Sequence, residues 1–181
     1  MPDHTPAPAP GPVPADELRL EALTAAAFEP FGEVIGTEGR VAEEINDGRT
    51  RKFADLARVD VTAAGGRTVV HLYRSQPVEA PLRIERMERH PLGSQAFVPL
   101  HPRPFIVIVA PAGDTPRRDA VRAFLTDGAQ GVNLARGVWH HYQVTLGEPS
   151  DYLVIDRAGP GANFEERRIE PPLLIRGLTL S

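Results

Sequence analysis

Apolar positions in this chain come as short runs of Val, Ile and Leu cut off by turn residues, without the spacing that would line one face of a helix. Val34–Ile35, Arg67–Arg74, Arg83–Glu88, Gln95–Leu100, Phe105–Ala110, Val121–Thr126, Val138–Leu146 and Ser150–Asp156 read as strands. Between them stand Gly65 and Gly66, Pro91 to Gly93, Pro102 with Pro104, Gly113 with Asp114, Asp127 with Gly128, and Gly147 with Pro149. Strands recurring at roughly 8 to 12 residues between such turns predict an antiparallel sandwich or barrel. Phe105–Val109 is apolar at every position, as expected of a strand covered on both faces. One short helix precedes the strands: Thr24 caps it, Ala25 to Phe28 favour it, and Pro30 with Gly32 stop it. A doubly wound α/β fold would need long helical segments between the strands, and there are none. The expectation is an all-β chain with a helical prelude.

The ends and the composition narrow this further. Residues 1–15 carry six of the 19 prolines, and such a stretch cannot bury enough apolar surface to offset its ordering entropy. It is expected to be a disordered tail, leaving residues 16–181 as one domain. Twenty Lys and Arg against 24 Asp and Glu leave a net charge of −4, no surplus for binding nucleic acid or an anionic membrane. Cysteine is absent, which excludes disulfides, thiolate metal sites and a cysteine nucleophile. Lys52 is the only lysine, so there is no phosphate-cradling Gly-Lys-Ser/Thr loop. No apolar run approaches the roughly 20 residues that span a bilayer, and no basic-then-apolar leader opens the chain. These features point to the cytoplasm.

Two patches carry candidate chemistry. In Glu88-Arg-His-Pro-Leu-Gly-Ser-Gln95, Glu88 and His90 share a side if the segment is extended, and Gln95 opens the strand after the turn. In Gly131-Val-Asn-Leu-Ala-Arg-Gly-Val-Trp-His-His141, the glycines suggest a tight bend with positive φ before a strand that presents His140. Alternation then puts His140, Tyr142 and Val144 on one face and Trp139, His141 and Gln143 on the other. His140 is the better candidate for the interior.

These residues resemble a known superfamily. Gly137-x-x-His140 matches the second signature of the cupin barrels. Glu88-x-His90 followed by Gln95 stands in the frame of the first, with Glu88 replacing a histidine and Gln95 a glutamate. Longer strings are more specific. Glu88-Arg-His-Pro-Leu-Gly-Ser-Gln-Ala-Phe-Val-Pro resembles the hallmark segment of the ureidoglycolate lyases, small cupins of allantoin breakdown. Ile45-Asn-Asp-Gly48 with Asp55-Leu-Ala57, Arg74-Ser-Gln-Pro77, Gly131-Val-Asn133 leading to Val138-Trp-His-His141, and Ile155-Asp-Arg157 agree in order and spacing. The similarity runs from about Leu18 to about Glu170.

The resemblance implies a cupin-type antiparallel β-barrel (jelly roll), a homodimer, and the splitting of (S)-ureidoglycolate into glyoxylate and urea in purine catabolism. That reaction needs a base for the hydroxyl proton, stabilisation of the developing oxyanion and a proton for the departing nitrogen. Glu88, His90 and His140 are the candidate catalytic residues. With Gln95 they also form a candidate metal site. The resemblance implies a divalent metal, nickel foremost, although imidazole with oxygen donors suits zinc, manganese or iron as well. A metal-free site is the alternative, with His90 or Glu88 as base and an arginine holding the carboxylate. Arg74 is the first candidate for that anchor, because a guanidinium binds carboxylate through two parallel hydrogen bonds. Gln95 and Lys52 are the other candidate substrate contacts. Asp156 and Arg157 are expected to form a buried ion pair or a dimer contact, and His71 and His101 to be structural.

Overall fold

The computed structural model describes residues 16–179; the tail expected over 1–15 lies outside them. The helical prelude forms as the sequence suggests. Thr24 accepts a hydrogen bond from the backbone N–H of Ala27 at 3.2 Å and caps α1, Ala25–Phe28. Pro30 belongs to the single tight turn that follows, and Gly32 ends it with φ of 141°. The prelude seats Phe28 and Phe31 against Phe124, with ring centroids 5.6 and 6.0 Å away.

Two sheets face each other. The larger contains β1 (Leu20–Ala22), β6 (Leu82–Arg89), β8 (Phe105–Ala110), β9 (Arg122–Leu125), β11 (Trp139–His140), β12 (Val144–Thr145) and β14 (Glu165–Ile175). Its order is β1-β9-β8-β11-β6-β14, with β12 also on β8. The smaller runs β2 (Gly32–Ile35), β10 (Gly131–Leu134), β7 (Gln95–Pro99), β13 (Ser150–Ala158), β5 (Arg67–Ser75). A separate exposed hairpin joins β3 (Glu43–Ile45) to β4 (Thr50–Lys52). All pairs of named strands are antiparallel except β1 with β9, a departure from the expected ladder. Leu174 of β14 also bridges Glu17, so the N-terminal segment ties the two ends of the larger sheet together and curls it.

The alternation of β8 divides the core. Phe105, Val107 and Val109 face the smaller sheet with Phe97, Val132, Tyr152 and Val154. Ile106, Ile108 and Ala110 face the other way, onto Ile84, Trp139, Leu173 and Ile175. Each fully buried Val, Ile or Phe of this strand stabilises the fold by roughly 1.5–3 kcal/mol. A strand with two cores, as its unbroken apolar run predicts, is therefore the axis of the molecule.

Several elements differ from the sequence expectation. Val138–Leu146 is not one strand: it breaks between β11 and β12, and Tyr142 and Gln143 consequently face the same cavity, which strict alternation would forbid. Gly131 is extended rather than turned. It opens β10 where strands crowd, and a Cβ there would lie 2.5 Å from the carbonyl oxygen of Phe97. Only Gly137, with φ of 79°, makes the bend. β14 escapes a pattern reading because Glu165 to Arg168 are all charged and Pro171 and Pro172 interrupt it. The strand shifts register between Arg168 and Leu173 and still buries Ile169, Leu173 and Ile175.

Candidate active site

His140 is paired directly across from Glu88, β11 against β6. His90 lies two residues beyond Glu88 and so on the same side. The bend that delivers His140 is fastened to this neighbourhood, because the backbone N–H of Gly137 donates to the carbonyl of His90 at 3.0 Å. One ligand atom from each of Glu88, His90 and His140 lies within 4.8 Å of the others, an arrangement that can hold a metal ion. The two imidazoles are 5.3 Å apart, centroid to centroid.

Both rings have a defined proton. His90 Nδ1 is 2.7 Å from the carbonyl oxygen of Asn163, and His140 Nδ1 is 3.2 Å from that of His141. A carbonyl only accepts, so each Nδ1 carries a hydrogen and each Nε2 points away from that bond. Both Nε2 atoms are buried without a hydrogen-bond partner among the described residues. Burial, reinforced by the neighbouring His90, pushes His140 down to about 3, so this imidazole is neutral at any working pH. Glu88 moves the other way. Burial raises it, His90 opposes the rise, and the carboxylates of Glu166 and Asp156 add to it.

A cavity of about 490 Å³ opens here, with Tyr73, Glu88, His90, Gln95, Asp156 and Phe164 in its wall. Gln95 is 4% exposed; its Nε2 donates to Asp156 Oδ2 at 2.8 Å, and its Oε1 is buried without a partner. Burial, then Asp156 and Glu88, raise the phenol of Tyr73, keeping it protonated. The wall bears two carboxylates and no described arginine or lysine. Glu88 and His140 also line a neighbouring hollow, where Arg83 meets Glu85 at 2.9 Å and Arg86 meets Glu166 at 3.6 Å.

Four of the six expected site residues thus come together: Glu88, His90, Gln95 and His140. Arg74 and Lys52 do not. On β5 it is Tyr73 that faces the cavity, so Arg74 points outward, and its guanidinium grips Asp151 through 2.8 and 2.9 Å hydrogen bonds. Lys52 lies on the exposed hairpin, 3.0 Å from Glu43. Of the two roles expected for Asp156 and Arg157, a buried ion pair or a dimer contact, the ion pair does not form. Arg157 donates instead to the carbonyls of Ala63 and Pro160, while Asp156 faces the cavity. Asp156 and Tyr73 are the site residues that sequence reasoning missed. Asp156 was detectable: it continues the inward alternation Tyr152, Val154, Asp156, where a carboxylate is out of place. Asn163 sits in a loop and gives no such signal. His71 stacks on Tyr73 at 6.1 Å and His101 lies 3.7 Å from Asp151.

A two-sheet barrel with a histidine-and-glutamate cluster in an inward cavity defines a cupin-type protein equipped for small-molecule chemistry. Comparison with known sequences is more specific. The family model described as ureidoglycolate lyase matches residues 15–176. A ureidoglycolate lyase of Burkholderia mallei is 54% identical over 156 residues, covering 86% of this chain and 91% of the relative. Those of Pseudomonas paraeruginosa and Azotobacter vinelandii are 50% and 51% identical over 149 residues, covering 82% of this chain and 88% and 90% of the relatives. The chain belongs to the ureidoglycolate lyase family.

Proposed function

We propose that this protein splits ureidoglycolate into glyoxylate and urea. The observation that carries the reading is the convergence of Glu88 with buried, unpartnered acceptor atoms on His90, His140 and Gln95. The substrate bears a hydroxyl and a ureido nitrogen on one carbon. The hydroxyl proton leaves, its electron pair closes the aldehyde C=O, the C–N bond breaks, and the nitrogen takes up a proton as urea departs. The net proton movement is from oxygen to nitrogen, so one carboxyl group can serve both legs. Glu88 suits that task, because burial raises its pKa and so makes the carboxylate a stronger base toward the hydroxyl proton, which it can then hand to the departing nitrogen. Gln95 and Tyr73 bind and orient the substrate.

The divalent cation that the resemblance implies fits the residues present. Two imidazoles whose Nε2 atoms are buried without a partner, and a carboxylate held in reach, make a donor set of the kind a divalent cation takes. The 490 Å³ cavity carries Glu88 and Asp156 and no cationic side chain of its own, so an anionic substrate entering it would gain from a bound cation. His90, His140 and Glu88 would hold the ion. When bound, it would supply charge for the substrate carboxylate and lower the hydroxyl pKa. The metal-free alternative loses its first candidate anchor, since Arg74 is committed to Asp151. Nickel is the ion the resemblance implies; metal analysis of the purified protein decides among it, zinc, manganese and iron.

A homodimer belongs to the same proposal. β5 is a nine-residue edge strand that pairs only with β13 among the described residues, with Val70 61% and Leu72 60% exposed. An apolar edge of that length is a template for pairing, and sedimentation measures the outcome. A cytoplasmic location is proposed alongside; no helix among the described residues is long and apolar enough to cross a membrane.

The deciding experiment follows glyoxylate, urea and ammonia from racemic ureidoglycolate, before and after chelation. Equal glyoxylate and urea without ammonia support the lyase. Ammonia in place of urea, or no turnover, overturns it. Full activity after thorough chelation overturns the metal.

A further inference from the structure

We propose that Asp156 is a positioning residue that decides which end of the Gln95 amide faces the cavity, and that the acceptor so presented receives the N–H groups of the ureido half of the substrate. This rests on the lyase reading. The registers of β7 and β13 bring the two side chains together: Val154 pairs with Phe97 and Ile155 with Ala96, so Asp156 and Gln95 are next along the ladder. Asp156 is itself anchored, since its Oδ1 accepts from the backbone N–H of Arg157 at 2.6 Å. Its Oδ2 takes the Gln95 amide hydrogen at 2.8 Å.

An amide has a donor end and an acceptor end of nearly equal size, and a carboxylate can only accept. The donor end of Gln95 must therefore turn to Asp156, and Oε1 is driven to the opposite side. There it is buried without a partner. The same corner of the wall offers further acceptor lone pairs on the Asp156 carboxylate beside it. A ligand that satisfies such a surface is rich in N–H donors. Of the two products urea is; glyoxylate, an aldehyde with a carboxylate, is not. The Asp156–Gln95 pair thus recognises the ureido end and leaves the carboxylate end to the Glu88–His90–His140 side.

Asp156→Asn tests this without changing size. An asparagine can still accept from the Arg157 N–H, but its amide can donate to Gln95 Oε1, which lets the Gln95 amide turn over and present hydrogens to the cavity. The expected result is a fall in kcat/KM of about tenfold or more, the scale of one lost hydrogen bond. Product inhibition by urea weakens by a similar factor, while inhibition by glyoxylate is unchanged. Gln95→Leu, which removes the acceptor, gives the same selective loss of urea. In the Gln95→Leu background Asp156→Asn then has little further effect, because one acts through the other. Inhibition by urea and glyoxylate weakening together would overturn the inference, as would additive effects in the double variant. So would a loss of bound metal in Asp156→Asn, which would make Oε1 a metal ligand instead. Wild-type protein serves as the control: if it does not turn over ureidoglycolate, the lyase reading fails first and this inference with it.

Discussion

Replacing Glu88 by Gln removes the proposed proton carrier while keeping the shape of the site. General acid–base catalysis by one group is worth about 10²–10⁴ in rate, roughly 3–5 kcal/mol of barrier. The upper half of that range applies here, because neither Asp156 nor His140 can substitute and His90 would be held as a metal ligand. Asp156 is committed to Gln95 and the Arg157 N–H, and burial holds His140 neutral. The expected loss in kcat is thus about 10³-fold or more, read by coupled detection of glyoxylate. Burial, with Glu166 and Asp156, raises Glu88 in the metal-free protein, while a bound cation would draw it down again, so the wild-type acid limb marks the loss of the Glu88 proton. Activity rises with pH through that limb, and the limb disappears in the variant. Stability moves the opposite way. A carboxyl group raised in the folded state contributes stability at low pH that is lost as pH rises through its folded pKa. Metal-free Glu88→Gln therefore melts no lower than metal-free wild type at neutral pH, and higher if burial dominates, which separates catalytic loss from misfolding. A variant retaining more than about a tenth of the rate, with the acid limb in place, would refute this reasoning and move the base to His90.

Three other perturbations follow from the geometry. His140 is held far below its ordinary value of 6.5, so the unfolded chain takes up a proton there that the folded protein refuses until about pH 3. Metal-free stability should fall as pH drops through that window, and His140→Gln should flatten the slope in denaturant titrations, leaving the smaller contribution of buried His141, which is also lowered. Gly131→Ala forces a Cβ against the Phe97 carbonyl and should cost about 1–3 kcal/mol in equilibrium unfolding. Arg74→Ala breaks only an outward-facing ion pair with Asp151 and should leave kcat/KM unchanged; a large rise in KM would restore Arg74 as the carboxylate anchor.

Much of this protein was written in local pattern. The capped helix at Thr24, the strands between their Gly and Pro turns, and the doubly buried β8 follow from side-chain period and turn chemistry, which act over a few residues. Glu88 and His90 share a strand side for the same reason, and Gly137 marks the bend that delivers His140. What the chain alone did not reveal depends on which strands become neighbours. Asp156 beside Gln95, rather than beside Arg157, is a consequence of the β7–β13 register, set by residues some sixty positions apart. Arg74 and Tyr73 are adjacent in sequence, yet the direction of the sheet gives the cavity to one and the surface to the other. β14 forms despite its charges and prolines because β6 offers it a ladder and the curled core accepts Ile169, Leu173 and Ile175. Long-range pairing overrides local preference wherever the buried area and completed hydrogen bonds outweigh it, and in this barrel that happens at the strand edges and at the site.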